Sequence, residues 1–125
     1  MTDAEFAGRS AIVTGAAGGM GRAIALRFAA AGARVVAADV AEDGGAETVA
    51  LIEQAGGTAR FVRTDVSDSA AVAAMVEAAQ ESFGGLHYAV NAAAIENETT
   101  LLADCEEAAF DRLIAVNLRS VFLCL

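Results

Sequence analysis

The alternation of short apolar runs with helical patterns constrains this chain more than any other feature of its sequence. The runs are rich in alanine and β-branched residues, and in the stretches between them apolar residues recur at helical spacing. Strands are predicted at Ser10–Thr14, Arg34–Asp39, 60–65 and 87–92. Strands that alternate with helices pair in parallel and place helices on both faces of the sheet. The sequence therefore predicts a doubly wound α/β fold with about four strands.

Two of the predicted helices carry start signals. Ser67 is placed to cap the third helix, and Asp104 with Glu107 forms a predicted capping box that opens the last one. The apolar stripe of the third helix consists of Val72, Met75, Val76, Ala79 and Phe83. One face of the last helix is predicted to consist of Phe110, Leu113, Ile114, Asn117 and Val121. A polar loop is predicted at 96–100.

Length and composition predict a single domain over residues 1–125. Apolar residues make up 56% of the chain, which is enough for an ordered core. Eight arginines and no lysine face seventeen acidic residues, and the net charge of −9 disfavours nucleic acid and anionic membrane surfaces as partners. No stretch is suited to span a membrane, and the first nine residues do not resemble a signal peptide. A cytoplasmic location is therefore expected.

Metal binding is not predicted. The two cysteines, Cys105 and Cys124, are too few for a metal cluster or a disulfide framework, and reduced thiols are expected. His87, the only histidine, has no partner at the spacing of metal ligands. It is expected to mark the entry to the fourth strand.

A glycine-rich segment joins the first strand to the first helix. Glycines at such a junction permit a tight turn, a close approach of the backbone to a pyrophosphate, and close packing of helix on strand. The start of the helix also offers unpaired N–H groups and the positive end of its dipole to phosphates. The candidate cofactor-binding residues of this segment are Thr14, Gly15, Ala17, Gly19, Met20 and Gly21. The alternative is a glycine-rich turn that binds nothing.

Asp39 closes the second predicted strand, 24 residues after Gly15. A carboxylate at this place can accept hydrogen bonds from both hydroxyl groups of an adenosine ribose, and it repels a 2′-phosphate. No arginine lies beside Asp39 in the sequence or within the glycine-rich segment to bind such a phosphate. The sequence therefore favours NAD over NADP as the cofactor. The alternative is a strand-end aspartate that only caps a turn.

The glycine spacing is T-G-x3-G-x-G, and it resembles the cofactor motif of the short-chain dehydrogenase/reductase family. The resemblance extends over residues 9–125, which correspond to the first half of a typical family member. It implies a Rossmann-type dinucleotide-binding domain that lacks the family's C-terminal catalytic half.

Two further segments share this resemblance. The third strand closes with Asp65 and Val66, where family members contact the adenine. The segment 91–94 reads N-A-A-A against the family's N-N-A-G, so Ala92 and Ala94 depart from the pattern. The cofactor contacts that the resemblance implies are Asp65, Val66, Asn91, Ala92 and Ala93, with Asn91 also bridging strands. Ala94 adds a methyl group near the expected cofactor path, which is tolerated if its φ stays negative.

Asn117 lies within the apolar pattern of the last helix. A buried asparagine needs hydrogen-bond partners, so one interpretation is a core residue bonded to the backbone. The resemblance implies a second role, in which the asparagine positions a water in the proton relay behind a catalytic lysine. The two roles are compatible, and Asn117 is the candidate catalytic residue of this chain.

The other groups that carry the family's reaction are missing. That reaction needs a tyrosine as general acid/base, a lysine four residues later that lowers the tyrosine pKa, and a serine that polarises the carbonyl. The sequence has no lysine, and its only tyrosine, Tyr88, lies within the fourth predicted strand. The chain alone is therefore expected to be inactive.

The leading hypothesis is the NAD-binding portion of an oxidoreductase that transfers hydride between a secondary alcohol or ketone and NAD. The expected partners are that small-molecule substrate and, as in the family, further copies of the chain in a homo-oligomer. The alternatives are a non-catalytic dinucleotide-binding module and an inert truncated fragment. Because the later strands of the family are missing from this chain, the fourth strand and the apolar stripe of Val121, Phe122 and Leu125 are expected to lie uncovered.

Overall fold

The computed structural model describes residues 5–96 and 100–125. Residues 97–99, which make up most of the polar loop predicted at 96–100, lie outside the described residues. The strands are β1 (Ser10–Thr14), β2 (Arg34–Asp39), β3 (Thr58–Arg63) and β4 (Tyr88–Asn91). They pair in parallel as one sheet in the order β3-β2-β1-β4.

Helices cover both faces of this sheet, which confirms the predicted doubly wound α/β class. They are α1 (Gly19–Ala30), α2 (Glu42–Gln54), α3 (Ser69–Phe83), α4 (Glu107–Ile114) and α5 (Ser120–Cys124). A 3₁₀ turn at Leu102–Asp104 precedes α4, and a π-helical turn at Ala115–Arg119 joins α4 to α5. Helices α1 and α2 supply the core on one face, while α3 supplies it on the other.

The central strands β1 and β2 are buried because both of their faces are covered. Successive side chains point to opposite faces, so Val13 packs in the cluster with α1 and α2. Its neighbour Ile12 packs in the other cluster, against Met75 of α3. The fourth strand is one residue shorter at each end than the predicted 87–92, so His87 lies directly before it. The Nδ1 of His87 accepts a hydrogen bond from the Ser10 N–H at 3.0 Å.

The third strand begins and ends two residues earlier than the sequence pattern indicates, at Thr58 and Arg63 instead of 60 and 65. The reason is its register with β2, in which Arg34 pairs with Thr58 and Asp39 pairs with Arg63. The chain leaves the ladder after the Thr64 N–H donates to the Asp39 carbonyl at 3.0 Å. Asp65 therefore stands in the loop after the strand.

The predicted cap of the third helix is wrong by one residue. The cap is Asp68, whose Oδ1 accepts a hydrogen bond from the Ala70 N–H at 3.0 Å. Ser67 cannot serve because its hydroxyl donates to Asp65 Oδ1 at 2.6 Å. The helix ends at Gly84, which has a φ of +76°.

The last helix also departs from its prediction. Asp104 lies in the 3₁₀ turn, and Glu106 caps α4 without a side-chain bond, so the capping box does not form. The buried residues of this region are Val116 and Ser120. Of the predicted apolar face, Leu113 is half-buried, while the remaining members are exposed: Phe110, Ile114, Asn117 and Val121. The π-helical turn interrupts the regular helical spacing on which that face was predicted.

Two surfaces remain uncovered in the described part of the chain. The edge strand β4 pairs with β1 on one side only, and Val121, Phe122 and Leu125 are exposed. Within residues 5–96 and 100–125, no helix is long and apolar enough to cross a membrane. The same residues hold no group of three or more His, Cys, Asp or Glu side chains that could bind a metal ion.

Candidate functional site

The glycine loop, residues 15–18, connects β1 to α1 at the carboxyl ends of the strands. Gly15 has a φ of +68°, and a Cβ atom built on it would lie 2.6 Å from the carbonyl oxygen of Ala92. A Cβ atom on Gly21 would overlap with the carbonyl oxygen of Gly15. Both positions therefore require glycine, because the loop lies in direct backbone contact with the end of β4 and with α1.

The start of α1 is open to solvent above this loop. Apart from their chain neighbours and the backbone of α1, no described residue has an atom within 4 Å of a Cβ atom built on Gly18 or Gly19, and Met20 is 76% exposed. The Arg22 N–H donates to the Gly18 carbonyl at 3.1 Å, and the N–H groups before it have no helical acceptor one turn back. Such an open helix N-terminus can bind a phosphate.

Thr14 lies beneath the glycine loop, where it is 2% exposed. Its Oγ1 accepts hydrogen bonds from the N–H groups of Ala92 at 3.1 Å and Ala93 at 3.2 Å. Its hydroxyl donates to the Val90 carbonyl at 3.4 Å. Thr14 thus fixes the segment after β4 against β1, and the backbone donors of Ala92 and Ala93 are engaged by its side chain.

Asp39 ends β2 beside the glycine loop. Its Oδ2 accepts a hydrogen bond from the Ala17 N–H at 3.0 Å, and its Oδ1 accepts one from the Ala41 N–H at 3.0 Å. Each carboxylate oxygen can accept a further hydrogen bond. Asp39 therefore caps the turn, as the alternative interpretation has it, and keeps acceptor capacity for a ligand.

A groove of about 100 Å³ lies at the carboxyl ends of the strands. Ligands of open α/β sheets bind in such a crevice. The groove lining combines five candidate residues, Gly15, Asp39, Asp65, Val66 and Ala93, with seven others. Those others are Ala38, Val40, Thr64, Ala94, Ile95, Arg112 and Val116.

A larger cavity, of about 630 Å³, lies between the last turns of α1 and α2. Its lining consists of apolar side chains and glycines, without a titratable group. We assign the candidate site to the smaller groove because the charged side chains of Asp39, Asp65 and Arg112 line it together with Gly15 of the glycine loop.

Asp65 follows β3 and lines this groove. Its Oδ1 accepts hydrogen bonds from the Ser67 hydroxyl at 2.6 Å and the Ser67 N–H at 3.0 Å. These two bonds lower the pKa of the Asp65 carboxyl below its ordinary value, helped by the charges of Arg112 and Arg63 and opposed by partial burial. Asp65 is therefore an anion at neutral pH. Its neighbour Val66 is buried and forms an apolar part of the groove wall.

Acid is expected to remove the contribution of Asp65 to stability. Because the pKa of the folded carboxyl is lowered, this contribution is fully present above the unfolded-state pKa of about 3.9 and is lost as the pH falls through the folded-state pKa. Asp65→Asn should lower the free energy of unfolding at neutral pH by less than about 1 kcal/mol, since the carboxyl is largely solvated. Urea unfolding of wild type and variant should show this difference shrinking as the pH falls below about 4. A widening difference would contradict the prediction, and Glu77→Gln, at an exposed position of α3, is the control for net charge.

The segment after β4 forms another side of the groove. Asn91 is the last residue of the strand and is exposed. Ala93 and Ala94 line the groove. No non-glycine residue among those described has a positive φ. Ala94 therefore has a negative φ, at which its methyl group is tolerated.

Asn117 joins the π-helical turn to the segment after β4. Its Nδ2 donates to the Ile95 carbonyl at 2.8 Å, and its Oδ1 accepts from the Ile95 N–H at 2.8 Å. The side chain is thus bonded to the backbone, as the first interpretation holds, but it is exposed and not part of the core. π-helical turns of this kind occur frequently at functional sites.

Arg22 supports the glycine loop, and no prediction from the sequence concerned it. Its Nη2 donates to the Ala17 carbonyl at 2.7 Å and the Gly44 carbonyl at 3.1 Å, and lies 3.2 Å from Glu47 Oε2. Its Nε donates to Thr48 Oγ1 at 2.9 Å. A cation near the start of a helix interacts unfavourably with the helix dipole. The position of Arg22 early in the first helix was therefore the one sign in the sequence that nearby acceptors bind its guanidinium.

Comparison with known proteins places this arrangement in a family. The family model described as short chain dehydrogenase matches residues 9–125. Short chain dehydrogenase/reductase astE of Aspergillus oryzae is 46% identical over 119 residues, which cover 94% of this chain and 46% of that protein. A 3beta-hydroxysteroid dehydrogenase of Mediterraneibacter gnavus is 42% identical over 113 residues, which cover 90% of this chain and 41% of that protein. The chain spans about half the length of the curated relatives it matches.

Solved structures agree with the sequence relatives. A dehydrogenase/reductase from Sinorhizobium meliloti 1021 superimposes with a TM-score of 0.92 at 38% identity, over 98% of this chain and 48% of that one. A metagenomic short-chain oxidoreductase in complex with NADP gives a TM-score of 0.91 at 35% identity, over 97% of this chain and 55% of that one. The resemblance that the glycine spacing indicated is thereby confirmed, and the chain belongs to the short chain dehydrogenase family.

Proposed function

We propose that this chain forms the NAD-binding part of an oxidoreductase in which hydride passes between a secondary alcohol or ketone and the cofactor. The observation that carries the proposal is the position of the Asp39 carboxylate, next to the glycine loop and on the groove. The nicotinamide ring supplies the hydride chemistry when the cofactor is bound. The residues of this chain hold and orient the cofactor.

The pyrophosphate is assigned to the N-terminus of α1. Gly18 and Gly19 leave the space above the loop open, and the first N–H groups of the helix are available to an anion. Backbone donors can hold the pyrophosphate without a basic side chain. This agrees with a chain whose net charge is −9.

The adenosine half is assigned to the groove between the ends of β2 and β3. Asp39 has acceptor capacity for the ribose hydroxyls. Asp65 offers a carboxylate to the amino group of the adenine, and the buried Val66 offers an apolar surface to the ring. Gly15 and Ala93 line the same groove, and their small size allows the cofactor to approach the backbone closely.

The preference for NAD rests on the charge of Asp39. A 2′-phosphate bound beside this carboxylate would meet like-charge repulsion. Arg22 lies near the loop, but its guanidinium is engaged by two carbonyls, a hydroxyl and Glu47. It therefore does not compensate the negative charge at the ribose. The NADP-bound relative is a separate protein, 35% identical to this chain.

Asn117 is proposed as a positioning residue of the reaction, which orders the segment after β4 through its paired bonds to Ile95. In the family relay this asparagine positions a water. The tyrosine and lysine of that relay have no counterpart here, because the sequence has no lysine and Tyr88 lies inside β4. We therefore propose that the chain binds NAD but does not by itself oxidise alcohols.

Isothermal titration of the protein with NAD⁺, NADP⁺ and ADP-ribose tests this function. We expect NAD⁺ and ADP-ribose to bind, and NADP⁺ to bind at least about tenfold more weakly because of repulsion at Asp39. Circular dichroism of the same sample establishes that the protein is folded. A folded protein that binds none of the three ligands would favour the inert fragment, and stronger binding of NADP⁺ would contradict the cofactor assignment.

A further inference from the structure

Two backbone carbonyls of the glycine loop accept hydrogen bonds from side chains, one from α2 and one from α1 itself. Thr48 Oγ1 donates to the Ala16 carbonyl at 2.6 Å, and Arg22 Nη2 donates to the Ala17 carbonyl at 2.7 Å. Thr48 is completely buried, and its Oγ1 in turn accepts from Arg22 Nε at 2.9 Å. Two consecutive loop carbonyls therefore share one connected network of side-chain donors.

Holding these carbonyls also sets the direction of the N–H groups. In a trans peptide the C=O and N–H of one unit point in opposite directions. In the peptide unit between Ala16 and Ala17, the carbonyl points towards α2 and the Ala17 N–H points away from it. This N–H donates to Asp39 Oδ2 at 3.0 Å. In the next peptide unit, the Gly18 N–H likewise points away from the bonded Ala17 carbonyl. Gly18 is the cap residue of α1, at the open end of the helix.

The contact between α2 and the loop is close enough to require glycine at position 44. A Cβ atom on Gly44 would lie 2.7 Å from the Ala17 carbonyl oxygen. The Gly44 carbonyl accepts from Arg22 at 3.1 Å. The ion pair with Glu47 lies on the exposed side of the network, since the Glu47 side chain is 63% exposed. Neutral acceptors, and not that ion pair, thus hold most of the guanidinium.

We propose that Arg22 of α1 and Thr48 of α2 act as a positioning pair for the dinucleotide pyrophosphate: they hold the Ala17 and Ala16 carbonyls, so that the Gly18 N–H at the open start of α1 faces the phosphates. The proposal rests on the proposed function, because it concerns the same cofactor site. In this proposal the backbone that binds the phosphates is oriented by a side chain of α2 as well as by the glycines of the loop.

The test compares Thr48→Val with Thr48→Ser by isothermal titration with NAD⁺ and with adenosine. Valine keeps the shape of threonine but removes the donor to Ala16, and we expect the Kd for NAD⁺ to rise about tenfold. Serine keeps the hydroxyl and should bind NAD⁺ nearly as well as wild type. Adenosine carries no phosphate, so its affinity should change little in either variant.

A second pair of variants separates geometry from charge. Arg22→Lys keeps the positive charge but not the planar fork, and it should weaken NAD⁺ binding almost as much as Arg22→Ala. Arg27→Ala, at an exposed position of the same helix, is the control for loss of one cation.

Full recovery in Arg22→Lys, or equal losses for NAD⁺ and adenosine, would overturn the positioning role. If Thr48→Val binds NAD⁺ as tightly as wild type does, the positioning role is also wrong. If wild type does not bind NAD⁺ at all, the proposed function itself is wrong.

Discussion

Gly15→Ala is expected to abolish NAD⁺ binding and to lower the free energy of unfolding by about 3 kcal/mol or more. Two effects add at this position. A non-glycine residue is strained at a φ of +68°, and its Cβ atom would lie 2.6 Å from the Ala92 carbonyl oxygen. Relief of this contact moves the loop away from β4 and changes the groove. Titration with NAD⁺ and urea unfolding of the variant measure the two consequences.

Gly18→Ala is the matched control in the same loop. Its backbone is extended, with a φ of −173°, and apart from its two chain neighbours no described residue has an atom within 4 Å of a Cβ atom built there. We expect its stability to stay within about 0.5 kcal/mol of wild type. If Gly15→Ala bound NAD⁺ as wild type does, the assignment of the cofactor to this groove would be wrong.

Asp39→Asn is expected to remove the preference for NAD⁺ over NADP⁺ by improving the relative affinity for NADP⁺ about tenfold to a hundredfold. The change removes the charge that repels a 2′-phosphate. Asparagine still presents one carbonyl oxygen to the Ala17 or the Ala41 N–H, so part of the turn is retained. The ratio of the two dissociation constants, measured in one buffer, is the quantity to compare.

Asp43→Asn provides the control for this charge change, because Asp43 is exposed in the first turn of α2. It changes the net charge by the same amount and should leave the cofactor ratio unaltered. An unaltered ratio in Asp39→Asn as well would mean that another feature of the groove selects the cofactor.

The sequence predicted the fold class, the strand order along the chain and the loop between β1 and α1 because each rests on local chemistry. Buried strands carry apolar runs, and Gly15 occupies a backbone conformation that strongly favours glycine. The end of β2 at Asp39 was also predicted, since an acidic residue directly follows an apolar run.

Errors arose where strand register, a side-chain hydrogen bond or helix geometry overrides the pattern that is visible in the sequence. The end of β3 is set by its register with β2. The cap of α3 moves to Asp68 because Ser67 bonds to Asp65. The buried residues of the last region are Val116 and Ser120 because the π-helical turn breaks the regular spacing. A scan for helical period cannot detect such a turn.

By itself, the sequence thus determined the alternation of strands and helices, the glycine loop and the acidic residue at the end of β2. Only the tertiary structure decided that Arg22 and Thr48 hold the loop carbonyls, that Thr14 holds the segment after β4, and that Asn117 pairs with Ile95. The physical reason is distance along the chain. Apart from the bond between Arg22 and Ala17, these hydrogen bonds join residues that lie 22 to 79 positions apart. Such bonds leave no periodic trace in sequence, and they form only when the sheet has brought the strand ends together.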